Sequence, residues 1–237
     1  EHKFNFSEPF ENLFTQGMVC HPTFKTTTGK WIFPKDVIEK NNLFFLNNNE
    51  EVFKGESQAM SKSKKNIIDP DDIIKIYGSD AVRWFILSDS PPDRDIQWSD
   101  HGIQGAFKYI QKIWKTYEKI KVYKKENEND QNQLTKEINF LIKEITNCIE
   151  KFHINVAVAK LYIFLNKINE EIEKKNLDKE KIIEIYKKYL IIISAFVPYI
   201  ANECWEQLTG KKDIILQKWP KIDETTFNKE SFDIVIQ

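Results

Sequence analysis

Three ammonium groups and two hydroxyls fall within five consecutive residues, Ser61-Lys62-Ser63-Lys64-Lys65, after Ala59-Met60 and before Asn66. Neither flank has a helical or strand period, so the stretch reads as a loop. Lysines give it dense point charge, and hydroxyls and backbone N–H groups give it donors, a combination that suits a polyphosphate. A solvated basic turn has the same composition, so charge alone leaves both readings open. A second constellation lies further on. Lys108, Lys112, Lys115 and Lys119 recur at i, i+4, i+7 and i+11, one face of a helix, offset only by Glu118. Aligned like charges repel, so a polyanion partner and a solvated surface both remain open. Other chemistry finds less support. Cys20, Cys148 and Cys204 lie far apart without Cys-x-x-Cys spacing. His2 and His21 have no neighbour at ligand spacing, and His153, at a helix end, reads as structural. No metal site and no disulfide framework are expected, and the cysteines fit a reduced, cytoplasmic setting.

Two kinds of element must position these groups. Residues 1–58 read as mixed α/β: a helical turn over Pro9–Phe14, a short strand at Gln16–Cys20, a turn at Thr26–Lys30 leading to a second strand at Trp31–Phe33, and a loop at Asn47–Asn49. After the basic loop, Asp69 and Pro70 form a helix start, with Asp71 and Asp72 in the first turn. Ile73, Ile74 and Tyr77 supply its apolar face and Gly78 ends it. Ser79 caps a second helix, nearly all apolar, in which Arg83 is the exception. A salt bridge to a carboxylate such as Asp80 is preferred for Arg83 over a phosphate contact. Pro91-Pro92-Asp93 makes a stiff break.

From Ser99 onward the chain reads as helices only. The first, 102–125, carries Phe107, Ile110, Ile113, Trp114, Tyr117 and Ile120 at a 3.6 period, which places the lysine face opposite the buried one. A polar linker, 126–133, precedes a second helix with Leu134, Ile138, Leu141, Ile142, Ile145 and Ile149 as its stripe. A third spans 156–175, a fourth runs from an Asp178 cap to about Phe196, and a fifth runs from Pro198 to Gly210. Short connections between amphipathic helices predict an antiparallel bundle. Asp233–Gln237 reads as the beginning of a strand.

Composition bounds the rest. At 237 residues and 41% hydrophobic content the chain can bury a substantial core in one or two domains. A net charge of −1 means that any nucleic-acid affinity must come from a local face. The longest apolar run, Tyr189–Ala201, is interrupted by Pro198 and too short to span a bilayer, and no basic-then-apolar leader precedes the folded region. A soluble protein with no membrane partner is expected, and a first residue other than methionine suggests a piece of something longer.

The stretch 59–66 resembles the lysine-methionine-serine-lysine-serine signature of class I aminoacyl-tRNA synthetases. Ser61–Asn66, Asp69–Ile74, Tyr77–Asp80, Pro91-Pro92, Trp98–Asp100 and Gly105-Ala106 are similar to the leucyl-tRNA synthetases. Relatives specific for valine and isoleucine usually carry Leu-Gly where this chain has Lys64-Lys65. Pro9-Phe10, Thr15–Val19 and Gly29-Lys30-Trp31 resemble the leucyl family ahead of its signature. Phe152–Asn155, Phe196–Ala201, Glu203, Trp205 and Trp219-Pro220 resemble its anticodon-binding domain. Ala59 departs from the pattern, standing where the family has its first lysine.

The resemblance implies an α/β segment, the end of a Rossmann-like class I catalytic domain, followed by an all-α bundle, so that the chain is mainly α. It divides the chain into a catalytic remnant at 1–98 with the signature loop at 57–68, an anticodon-binding domain at 99–220, and the start of a further segment at 221–237. It implies ATP, with Mg in the substrate complex, at Met60, Ser61, Lys62, Ser63 and Lys64, Lys62 being the catalytic cation, and tRNA(Leu) as partner. The lysine face, Lys108, Lys112, Lys115 and Lys119, would meet that RNA. The family's His-x-Gly-His element, leucine pocket and editing domain do not occur in this sequence, which therefore looks like a C-terminal portion, inactive alone, either a fragment or one subunit of a split enzyme completed by an upstream catalytic subunit. A non-enzymatic tRNA-binding module, or a ligase for valine, isoleucine or methionine, are the alternatives.

Overall fold

Turns chosen by small polar residues fold the first part of the chain into a sheet. The computed structural model describes residues 8, 10, 13–126 and 133–223. By packing, these fall into two compact units: residues up to Ile68 with Ser90–Trp98, and Asp69–Asp89 with Ser99 onward. Of the expected helical turn at Pro9–Phe14, Pro9, Glu11 and Asn12 lie outside the described residues, and Phe10, Leu13 and Phe14, which are described, are not helical. His2, most of the polar linker and the strand at Asp233–Gln237 also lie outside them.

In the first unit β1 (Val19–Thr26) pairs antiparallel with β2 (Trp31–Ile32) across the predicted turn, where Thr26 N–H donates to the Lys30 carbonyl at 3.0 Å. β3 (Ile38–Lys40) and β4 (Leu43–Phe45) form a tight hairpin through Asn41 and Asn42, both at positive φ. Such a two-residue turn needs left-handed backbone at both positions, and asparagine tolerates it. The Asn47–Asn49 loop leads into β5 (Glu51–Ala59), giving the sheet order β2-β1-β5-β4-β3. Phe24, Ile32 and Val52 form the buried cluster on one face, with Val37, Phe44 and Leu46 against it.

A short strand, β6 (Ile96–Gln97), adds to β1 in parallel register, Val19 opposite Ile96. The approach of Gly17 to residues 92–95 prepares this pairing. Its N–H donates to the Pro92 carbonyl at 2.9 Å, and a Cβ on Gly17 would lie 2.0 Å from the Arg94 carbonyl oxygen. Only glycine fits there.

The second unit is helical: α1 (Pro70–Tyr77), α2 (Ser79–Asp89), α3 (Asp100–Val122), α4 (Gln133–Glu150), α5 (Ile154–Lys174), α6 (Lys179–Ile193) and α7 (Pro198–Thr209). The expected cap at Asp69 is present, α3 starts at Asp100 with a cap at Ser99 that the pattern did not predict, and Ser79, expected as a cap, is instead the first residue of α2. The Asp69 carboxylate accepts from Asp71 N–H at 3.0 Å, and the Ser99 hydroxyl accepts from Gly102 N–H at 3.1 Å. Asp178 stands at the N-cap of α6 but makes no side-chain capping bond. α1 and α2, which precede residue 99 in sequence, pack with the bundle, α2 lying against α3, α5 and α7.

Consecutive bundle helices run antiparallel, so α3 and α5 lie side by side in parallel. Thr116 meets Asn169 and Tyr123 meets Leu177 along that seam, whereas Glu144–Lys160 and Glu137–Lys167 run in opposite senses between α4 and α5. The buried side of α3 is rotated from the expected stripe. Ile113, Tyr117 and Ile120 are buried as expected, but Phe107, Ile110 and Trp114 are only partly so, and Ala106, Tyr109 and Thr116 are buried instead. Tyr109 stacks on Trp84 with ring centroids 4.1 Å apart and hydrogen-bonds the Tyr189 hydroxyl. Tyr189 donates in turn to the Leu161 carbonyl at 3.3 Å, and Tyr186 donates to the Ile113 carbonyl at 2.7 Å. A tyrosine can be fully buried when its hydroxyl has such a partner. Cys20, Cys148 and Cys204 are all buried and unpaired with one another. No helix among the described residues is long and apolar enough to cross a membrane.

Candidate functional site

The basic loop leaves the sheet at the end of β5. Ala59 is that strand's last residue, paired with Cys20 of β1, and Met60 N–H continues the ladder by donating to the Val19 carbonyl at 3.1 Å. Beyond it the backbone turns back, with Lys65 in left-handed conformation at φ 56° and its N–H 3.3 Å from the Lys62 carbonyl.

Asn66 closes the loop. Its side chain is fully buried, and its Oδ1 accepts from Ser61 N–H at 2.8 Å. Its Nδ2 donates to the carbonyls of His21, Gln58 and Ala59 at 3.0, 3.1 and 3.4 Å. The base of the loop is therefore stitched to both β1 and β5 by one carboxamide. Sequence reasoning includes Asn66 in the motif but gives it no role, and passes over Gln58. The signal that could have found Asn66 is its position, an uncharged amide directly after a run of cations and ahead of Ile67-Ile68.

The three loop lysines are not equivalent. Lys64 is partly buried and hydrogen-bonds the Gln58 side chain. Lys65 places its ammonium 5.0 Å from the centre of the Phe33 ring. Lys62 is exposed, and its ammonium has no hydrogen-bond or ion-pair partner among the described residues. Ser61 and Ser63 hydrogen-bond each other through their hydroxyls at 2.8 Å. The loop thus presents one free ammonium, with hydroxyls on either side of it in sequence, on a base held by hydrogen bonds. Such an arrangement can meet successive anionic oxygens.

The lysine face on α3 splits in two. Lys108 and Lys115 are exposed without partners among the described residues. Lys112 hydrogen-bonds Asn166 and lies 5.7 Å from the centre of the Tyr162 ring, and Lys119 pairs with Glu173 at 3.1 Å. The rotation of α3 is the reason. With Thr116 buried against Asn169, the edge of the lysine face reaches the α5 seam rather than lying opposite the core. Arg83 is exposed and forms no ion pair with Asp80 among the described residues, against expectation. It donates to the carbonyls of Phe196 at 2.9 Å and Ala195 at 3.3 Å. His21 turns its Nδ1 to the Pro22 carbonyl at 2.9 Å, and His153 stands at the N-cap of α5.

Two family models match successive parts of the chain. Residues 46–99 match the family model of tRNA synthetases class I (I, L, M and V), and residues 131–237 match that of the anticodon-binding domain of tRNA ligase. The chain is 37% identical over 231 residues to the leucine–tRNA ligase of Rickettsia bellii, spanning 97% of this chain and 28% of that protein. It is 37% identical over 244 residues to the leucine–tRNA ligase of Prochlorococcus marinus, spanning 99% of this chain and 28% of that one. It therefore spans little more than a quarter of the curated relatives it matches. Its fold is similar to the LeuRS of Agrobacterium radiobacter, solved in a ternary complex with tRNA and LeuAMS, at a TM-score of 0.68 and 21% identity over 93% of this chain and 25% of that one. A methionyl-tRNA synthetase of Mycobacterium tuberculosis in complex with methionyl-adenylate is similar over 62% of this chain and 35% of that one, at a TM-score of 0.51 and 18% identity. With leucine–tRNA ligases aligned along nearly its whole length, and the two family models falling in succession along it, the chain belongs to the leucyl branch of the class I aminoacyl-tRNA synthetases.

Proposed function

We propose that this chain is the C-terminal part of a leucine–tRNA ligase, which activates leucine with ATP to leucyl-adenylate and pyrophosphate and then transfers leucine to tRNA(Leu). Residues 1–98 contribute to the catalytic side, residues 99–220 meet the tRNA, and residues 221–237 begin a further segment. Leucine contacts come from outside this segment, from the same polypeptide or an upstream subunit, and the assembled enzyme works in the cytoplasm. Met60, Ser61, Lys62, Ser63 and Lys64 line the ATP phosphates, and Mg arrives with ATP as the substrate complex.

The reading rests on one observation. Of the loop's lysines only Lys62 has an ammonium untethered among the described residues, on a base fixed by Asn66. As pyrophosphate leaves, negative charge grows on its oxygens, and a cation already held nearby stabilises that charge without reorganising. Lys64, tied to Gln58, supplies standing positive potential.

The test is leucine-dependent ATP–pyrophosphate exchange by the full-length enzyme carrying Lys62→Ala. Loss of one preorganised donor should lower the rate by about 10²–10³-fold, with a smaller change in leucine affinity. A rate within about threefold of wild type removes Lys62 from the chemistry.

A further inference from the structure

We propose that Asn66 is a positioning residue for the phosphate chemistry, its buried carboxamide fixing the point at which Lys62 presents its ammonium. The proposal rests on the nucleotide reading of the loop given above. One Asn66 oxygen holds the loop's entry at Ser61 N–H, and one nitrogen holds the end of β5 and the adjoining carbonyl of β1. Three carbonyls surround the nitrogen and a single N–H faces the oxygen, so only one orientation of the amide satisfies the site. Lys62 follows directly on Ser61, and its carbonyl accepts from Lys65 N–H, so both sides of Lys62 are anchored within one residue or one turn of Asn66.

The other holds on the loop are weaker. Gln58 to Lys64 joins partly exposed side chains, and the Ser61–Ser63 hydroxyl pair is exposed. Removing the carboxamide leaves Ser61 N–H and three carbonyls to find water, and the loop loses the register in which Lys62 is delivered. Asn66 touches no reacting atom in this scheme. It acts through Lys62.

A double-mutant cycle on the full-length enzyme separates this role from simple fold support, reading leucine-dependent ATP–pyrophosphate exchange for wild type, Asn66→Ala, Lys62→Ala and the double variant. Misplacement of a catalytic group by about an ångström costs on the order of 10²-fold, so Asn66→Ala should lower kcat by about that factor. Its KM for leucine should stay within about threefold, because the loss belongs to the transition state. In the Lys62→Ala background the same change should cost no more than about threefold, since residues acting as a unit are not additive. If Asn66→Ala multiplies its full factor onto the Lys62→Ala loss, the positioning role is overturned while the nucleotide reading stands. If Lys62→Ala alone is without effect, the nucleotide reading itself fails. Should Asn66→Ala not fold, the cycle is read with Asn66→Ser, which keeps a short hydrogen-bonding side chain, and the same two outcomes decide.

Discussion

Asp80 and Arg83, one turn apart on α2, hold the two sides of a single corner. Arg83 donates to the carbonyls of Ala195 and Phe196, which follow the end of α6. The Asp80 carboxylate accepts from Tyr199 N–H at 3.4 Å and from Ile200 N–H at 2.7 Å, in the first turn of α7. Helix ends leave carbonyls and amides unpaired, and here both sets are met by one charged pair from a third helix. Val197, at the N-cap of α7, has no capping side chain of its own, so Asp80 supplies the cap from a distance in sequence.

Arg83→Met keeps most of the stem and removes the donors. The carbonyls of Ala195 and Phe196 then lose charged hydrogen bonds, a loss of about 2–3 kcal/mol. Urea unfolding of the chain should show that drop with an unchanged slope, and a difference under about 0.5 kcal/mol would mean that water replaces the guanidinium without cost.

Asp80 also sets a pH dependence. Burial raises its carboxyl above the ordinary 3.8, against the opposing pull of the Ile200 and Tyr199 amides and of Arg83. The native state therefore holds this proton more tightly than the unfolded chain does. The Asp80 contribution to stability is largest in acid and declines as pH rises from the unfolded value through the raised folded one. Asp80→Asn removes the titration. The stability advantage of wild type over Asp80→Asn, measured by urea unfolding from about pH 3.5 to 7, should shrink as pH rises. A widening gap over that range would reverse the sign and contradict the burial argument.

Much of this was legible in the residues, and what was not has identifiable causes. The helices announced themselves because each carries an apolar stripe, and Asp69, Pro198 and Gly210 mark their ends. β5 did not, because its nine residues include only one buried side chain, Val52. Its strand character comes from pairing on both sides by β1 and β4, which no local alternation records. The loop's cations were visible as charges, but their division into tethered and free depends on Gln58, Phe33 and Asn66, whose proximity is a product of the sheet. The same holds for α3. A six-residue apolar stripe was read where Tyr109 and Thr116 in fact turn inward, because their partners Tyr189 and Asn169 lie 80 and 53 residues away.

Ala59 offers a gain-of-function test. It is exposed at the end of β5, where the leucyl family resemblance places a lysine, and a longer side chain meets open solvent. A second ammonium beside the phosphates, partly exposed, should contribute roughly 1 kcal/mol. Ala59→Lys should therefore raise the exchange rate of the full-length enzyme, or tighten ATP, by about fivefold. Unchanged kinetics would show that position 59 faces away from the nucleotide.

The α3 face allows a prediction that the sequence pattern alone could not make. Lys108 and Lys115 are exposed and unpartnered among the described residues, so an RNA phosphate can approach them without breaking any contact. Lys112 and Lys119 must first leave Asn166 and Glu173, and that exchange offsets part of what a new phosphate contact contributes. The two pairs should therefore differ in their effect on tRNA binding. Each lysine that neutralises a phosphate releases condensed counterion, at about 0.9 in the slope of log K against log salt for a duplex. Replacing Lys108 and Lys115 with Gln should reduce the magnitude of that slope by about 1–2 and weaken cognate and non-cognate tRNA alike, because ammonium groups on phosphates position the RNA without reading bases. Replacing Lys112 and Lys119 should change the slope by less and cost some stability through the α3–α5 seam. The measurement is tRNA binding by the full-length enzyme at several salt concentrations for both double variants, with thermal unfolding alongside. Equal slopes for wild type and the Lys108/Lys115 variant would leave that face as solvated surface. A larger slope change in the Lys112/Lys119 variant would mean that RNA binding recruits the tethered pair in preference to the free one.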